Sequence, residues 1–87
     1  MKEELIIEMK KSIYEVVNGE EKLVSLVGVY PINVTEYIQE LGGEEIEDLF
    51  ESNGWQWDFW QKFSLNDEAY MCAGSGYYGN LTFSKQT

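Results

Sequence analysis

Residues 3–17 place Leu5, Ile6, Met9, Ile13, Val16 and Val17 on one stripe at helical spacing, with Glu3, Glu4, Glu8, Lys10, Lys11 and Glu15 elsewhere. Glu3 and Glu4 fall in the first turn, where the helix dipole favours anions, and Asn18-Gly19 suits a left-handed stop. The pattern predicts an amphipathic helix lying on a core. Residues 22–30, Lys-Leu-Val-Ser-Leu-Val-Gly-Val-Tyr, are apolar almost throughout and rich in valine. They predict a central strand covered on both faces and closed by Pro31.

Further on, Asn33 precedes Glu36 by three positions, a capping-box-like helix start. Val34, Tyr37, Ile38 and Leu41 mark the buried face of that helix, and Gly42-Gly43 ends it. Ile46, Leu49 and Phe50 recur at helical spacing among Glu44, Glu45, Glu47, Asp48 and Glu51. This predicts a second short helix over 44–52, or one helix over 34–52 broken at the glycines.

The period then changes to two. From Gly54 to Leu65 the odd positions Trp55, Trp57, Phe59, Phe63 and Leu65 form an apolar row broken only by Gln61. The even positions Gln56, Asp58, Lys62 and Ser64 are polar and share their row with Trp60. The expectation is a strand with one face on the core and the other in water. A helix is the alternative, because Trp55, Phe59 and Phe63 also recur every four residues. Asn66-Asp67 fits a two-residue hairpin turn, since both residues tolerate positive φ. Residues 69–73 read as the return strand, Gly74-Ser75-Gly76 interrupts it, and residues 77–85 form a last strand.

The order is α-β-α-α-β-β-β. It predicts one α+β domain over residues 1–87: an N-terminal helix, one buried central strand, two short acidic helices and a three-stranded antiparallel C-terminal meander, with the helices packed on one face of the sheet.

At 87 residues, 44% apolar and 15% aromatic, the chain is hydrophobic enough to fold despite a net charge of −10. The layout of that charge matters more than its size. All six bases are lysine, and none lies between Leu23 and Gln61. That stretch holds Glu36, Glu40, Glu44, Glu45, Glu47, Asp48, Glu51 and Asp58. Phosphate binding needs lysine or arginine to release counterions, so direct nucleic-acid binding and an anionic membrane surface are both excluded as expectations. A single cysteine, Cys72, forbids an internal disulfide, and no cysteine cluster suggests a metal. The charged N-terminus is no signal peptide and no run reaches membrane-spanning length, so a cytoplasmic protein is expected.

Candidate chemistry is sparse. Gly74-Ser75-Gly76-Tyr77-Tyr78-Gly79 matches the dinucleotide fingerprint in letters, but that mechanism needs a following helix, and residues 81–83 have strand character. Paired carboxylates four apart sit opposite apolar stripes, which is the pattern of a solvated face rather than a cleft. The serines have no histidine to activate them, and Cys72 lies in an apolar run with no cation beside it. No enzyme activity, cofactor or metal is expected.

What remains is an interaction protein. Its acidic middle, Glu36, Glu40, Glu44, Glu45, Glu47, Asp48, Glu51 and Asp58, is expected to face a basic protein surface, such as a nuclease or another nucleic-acid-binding protein, with Trp60 as an aromatic anchor. In gross composition the chain is similar to small acidic inhibitors by which phages and mobile elements imitate DNA. Two alternatives stand beside this: an adaptor or regulatory module whose acidity serves solubility, and binding of a neutral ligand such as a sugar by the aromatic strand. Tyr77, Tyr78 and Phe83 suggest a C-terminal edge strand able to pair with a second copy.

Overall fold

The computed structural model describes residues 3–53, 56–75 and 80–86. Helix α1 spans Glu3–Val17, followed by strand β1, Leu23–Val27, and helix α2, Pro31–Glu40. Four strands complete the chain: β2, Glu44–Asn53; β3, Gln56–Leu65; β4, Glu68–Ser75; and β5, Asn80–Gln86. They form one five-stranded antiparallel sheet in the order β1-β5-β4-β3-β2. The α+β class therefore holds, while one of the expected helices is a strand.

The amphipathic N-terminal helix forms as its pattern dictates. Met9, Ile13 and Val16 are buried, with Leu5, Ile6 and Val17 packed beside them. Gly19 adopts φ +84°, the left-handed stop that Asn18-Gly19 suggested. Alternation in β3 sends Phe59, Phe63 and Leu65 to the same core. Register carries that face across the sheet through Tyr70 and Cys72 of β4, Leu81 and Phe83 of β5 and Leu26 of β1. Tyr70 stacks on Phe83 with ring centroids 5.6 Å apart. Helix α1 lies against β1 and β5, and α2 against β2 and α1, so both cover this one face. Asn66 and Asp67 take φ of 53° and 64°, the hairpin turn expected of them. Trp55 and the side chain of Trp57, expected in the core, lie outside the described residues and side chains.

Several expectations are corrected. The 44–52 segment is strand β2, not a helix, because it pairs with β3 along its length. A β-bulge between Glu45 and Glu47 puts Ile46 out of register. The extra residue shifts the alternation, so apolar positions 46, 49 and 50 imitate helical spacing. The two expected acidic helices are therefore one helix, α2, and one strand, β2.

Strand β1 is an edge strand and not a central one. Val24 and Leu26 turn to the core, while Leu23 and Val27 lie exposed on the helix-free face. Val29, which prolonged the apolar run, is buried beyond the strand in the approach to α2. Pro31 opens α2 instead of only closing a strand. The helix therefore starts earlier than the Asn33 cap implied. Asn33 sits inside the first turn, where its Oδ1 accepts the Tyr30 N–H at 2.9 Å.

The C-terminal meander has four strands, β2 to β5, with β1 added beside β5. Strand β5 thus has neighbours on both sides. Phe83 is a core residue within it, so the described part of the expected edge strand is paired on both sides. Tyr77 and Tyr78 lie outside the described residues.

Candidate protein-binding edge

Strand β2 is the outermost strand at one side of the sheet, so alternate backbone N–H and C=O groups on its outer side have no strand to pair with. Cross-strand partners share a face, and this fixes where each side chain goes. Glu45, Asp48 and Phe50 pair with Phe63, Gln61 and Phe59 on the helix side. Glu44, Glu47, Leu49 and Glu51 pair with Ser64, Lys62, Trp60 and Asp58 on the open side. The edge therefore carries carboxylates above and below the sheet plane. Glu51 and Asp58, directly opposite each other, bring like charges together.

The eight expected acids divide between two places. Glu36 and Glu40 belong to α2 and line a cleft against α1 with Lys10 and Tyr37. Lys10 Nζ lies 3.3 Å from Glu40 and 5.5 Å from the Tyr37 ring centroid. Burial, and next the charge of Glu40, push the Tyr37 phenol above its ordinary pKa. Glu40 serves the helix–helix contact through Lys10, and neither acid belongs to the β2–β3 hairpin. The other six, Glu44, Glu45, Glu47, Asp48, Glu51 and Asp58, cluster on the β2–β3 hairpin. Among the described residues Lys62 is the cation that meets them, 3.9 Å from Glu47 with both side chains largely in water.

Trp60 stands on the helix-free face, half-buried, across from Leu49 on one side and Ala73 on the other. The Lys62 ammonium rests 5.4 Å from its ring centroid. Its indole is thus one strand in from the acidic edge, beside the exposed Leu49. Phe59 points to the opposite face, so the aromatic strand does not present these two rings as one platform.

A feature absent from the sequence pattern lies on the helix side. Pro31, Asp48, Leu49, Phe50, Phe59 and Gln61 line an open pocket of about 360 Å³ between the start of α2 and β2. Phe50 is 67% exposed beside it. Gln61 is the residue that interrupted the apolar row, and its neighbours give the reason. Its Nε2 donates to Thr35 Oγ1 at 3.1 Å, and that hydroxyl donates to the Pro31 carbonyl at 3.3 Å. The link braces the first turn of α2 on β3. Gln61 Oε1 is buried without a hydrogen-bond partner among the described residues. A polar break in an apolar row was the one signal in the sequence that could have pointed here.

The remaining candidates hold no site. Cys72 is fully buried, and desolvation pushes its thiol up to about 12. Gly74 and Ser75 belong to β4, and the chain resumes at Asn80 as strand β5, so the 74–79 fingerprint leads into a strand rather than the helix its mechanism requires. Residues 76–79 lie outside the described residues. Among the described residues no group of three or more carboxylates or thiols is arranged to hold a metal ion, and no helix is long and apolar enough to cross a membrane. Comparison with protein families, curated proteins and solved structures gave no match.

Proposed function

We propose that this is a non-enzymatic interaction protein that binds a basic protein surface through the β2–β3 hairpin. One observation carries this reading: the free edge of the sheet bears Glu44, Glu45, Glu47, Asp48 and Glu51, with Asp58 beside them on β3. At ~3.3 Å per residue, five carboxylates over residues 44–51 give roughly one charge every 5 Å. One strand of B-DNA carries a charge about every 3.4 Å along its axis. The two densities are within a factor of two, so a groove built for phosphates is a fitting partner. Leu49 and Trp60 supply an apolar patch next to the charge, where a rim of carboxylates alone would give rate and salt dependence more than affinity.

The partner class is a nuclease or another nucleic-acid-binding protein, and the action is inhibition by occupying its basic surface. Glu36 and Glu40 are not part of the interface. Phe59 and Trp60 lie on opposite faces, which favours this reading over a sugar site on the aromatic strand. A cytoplasmic setting accords with a single buried thiol that has no disulfide to form.

The test is capture of basic nucleic-acid-binding proteins at low salt, their release by high salt, and competition by duplex DNA. The joint substitution Glu44→Gln, Glu47→Gln, Asp48→Gln and Glu51→Gln is expected to abolish capture while leaving the circular-dichroism spectrum near that of the parent and the unfolding midpoint no lower. Undiminished capture by a folded variant would remove the β2 edge from the reading.

A further inference from the structure

The geometry points to strand addition as the way this edge binds: we propose that β2 takes an extended basic segment of the partner as a sixth strand. The inference rests on the basic-partner reading and specifies the backbone conformation of what is bound. An edge strand offers hydrogen-bonding groups at the spacing of an extended chain. Strand β2 is ten residues long, while the opposite edge, β1, has five. Long edges are ordinarily covered or shortened, whereas the sheet order leaves this one without a strand beside it, with α2 the described helix that touches β2.

Charge selects the occupant. A second copy pairing β2 with β2 would set five carboxylates against five, and like charges opposite one another destabilise a sheet. A lysine- or arginine-bearing strand reverses that sign wherever its cations stand beside these carboxylates. The two sides of the edge also differ in a way that an extended chain can read, because its successive side chains point to opposite faces. On the open side it meets Glu44, Glu47 and Glu51. On the helix side it meets Glu45 and Asp48, then Phe50 and the 360 Å³ pocket walled by Pro31, Phe59 and Gln61. The matching segment therefore alternates, with cationic side chains over the carboxylates and aliphatic ones toward the pocket. A helical basic segment has no such alternation and leaves the edge groups unpaired.

The probe is a synthetic peptide of alternating lysine and valine, about eight residues long to match the span Glu44–Glu51. Its control carries the same residues with alternate backbone nitrogens methylated on the pairing side, which keeps the charge and removes the donors. Titration into the full chain is followed by tryptophan fluorescence and by amide hydrogen exchange. Expected is binding that salt weakens, slower exchange at alternate amides within 44–51, and an affinity at least about tenfold lower for the methylated peptide, since it loses several hydrogen bonds. Equal affinity of the two peptides, or protection gained away from 44–51, overturns strand addition. If that equal binding still disappears in the four-glutamine variant, the basic-partner reading stands. If binding is unchanged in that variant, the basic-partner reading falls with it.

Discussion

Cys72 shows how one residue's surroundings set a measurable property of the whole chain. Its thiol is fully buried between the sheet and the helices, and the folded protein holds its proton up to about pH 12. An unfolded chain releases that proton near the ordinary value of 9.0. A folded-state pKa raised above the unfolded one contributes stability that is complete below pH 9 and is lost as pH climbs toward 12. At pH ~10.5 the loss amounts to about 2 kcal/mol, from ~1.4 kcal/mol per pH unit above the unfolded pKa. The half-buried phenol of Tyr37 and the buried one of Tyr70 act in the same direction. They are shared by a Cys72→Ala variant, so comparing the two proteins isolates the thiol. Alanine is expected to be the less stable at neutral pH because it leaves a cavity. The gap between them should narrow by about 2 kcal/mol in urea unfolding near pH 10.5. A gap that stays constant would mean the thiol ionises normally in the fold.

Among the elements, legibility followed the regularity of the spacing. Helix α1 and strand β3 were readable because a period ran through each with at most one break, at Gln61 in β3, and the Asn66-Asp67 turn because its residues tolerate positive φ. Strand β2 was not readable. Its bulge at Ile46 breaks period two, and glutamate-rich composition favours helix where no partner decides otherwise. What decides is pairing with β3, a contact no local window contains. The edge itself, and with it the candidate site, follows from sheet order and so was hidden for the same reason; only its charge was visible. The glycines at 42 and 43 carry more information than a helix stop. Gly42 takes φ +94°, and a Cβ on Gly43 would stand 2.7 Å from Ile38 Cγ2 and 2.8 Å from the Ser64 carbonyl oxygen. The backbone of β3 cannot retreat without breaking its ladder. Gly43→Ala is therefore expected to cost about 1–3 kcal/mol by overpacking the α2–β2 junction. Gly19→Ala has only its left-handed φ to resist it, with open space around the new methyl, and should cost about 1–2 kcal/mol. Thermal melts of both variants check the ranking, and a neutral Gly43→Ala would show that the junction yields.

At the scale of the molecule, a net charge of −10 on 87 residues couples folding to binding through salt. Concentrating like charge in a compact state destabilises it, and the six hairpin acids face one described cation. Added sodium chloride shortens the Debye length from about 30 Å at 0.01 M to ~10 Å at 0.1 M, which largely screens carboxylates farther apart than that and partly screens nearer neighbours. The free protein should become more stable, with a melting midpoint higher by about 4–8 °C for each kcal/mol of repulsion relieved. The same screening weakens attraction to a basic partner, so the complex should loosen over the salt range in which the free protein tightens. Opposite signs in one titration are hard to obtain by other means: a hydrophobic interface would strengthen with salt alongside the fold. The four-glutamine variant separates the contributions, because it keeps the sheet and loses the charge at the edge. Its melting midpoint should respond less to salt than that of the parent, and its binding should be lost at every salt concentration. If parent and variant gain stability equally, the repulsion resides elsewhere on the surface, and the hairpin is not where this protein concentrates its charge energetically.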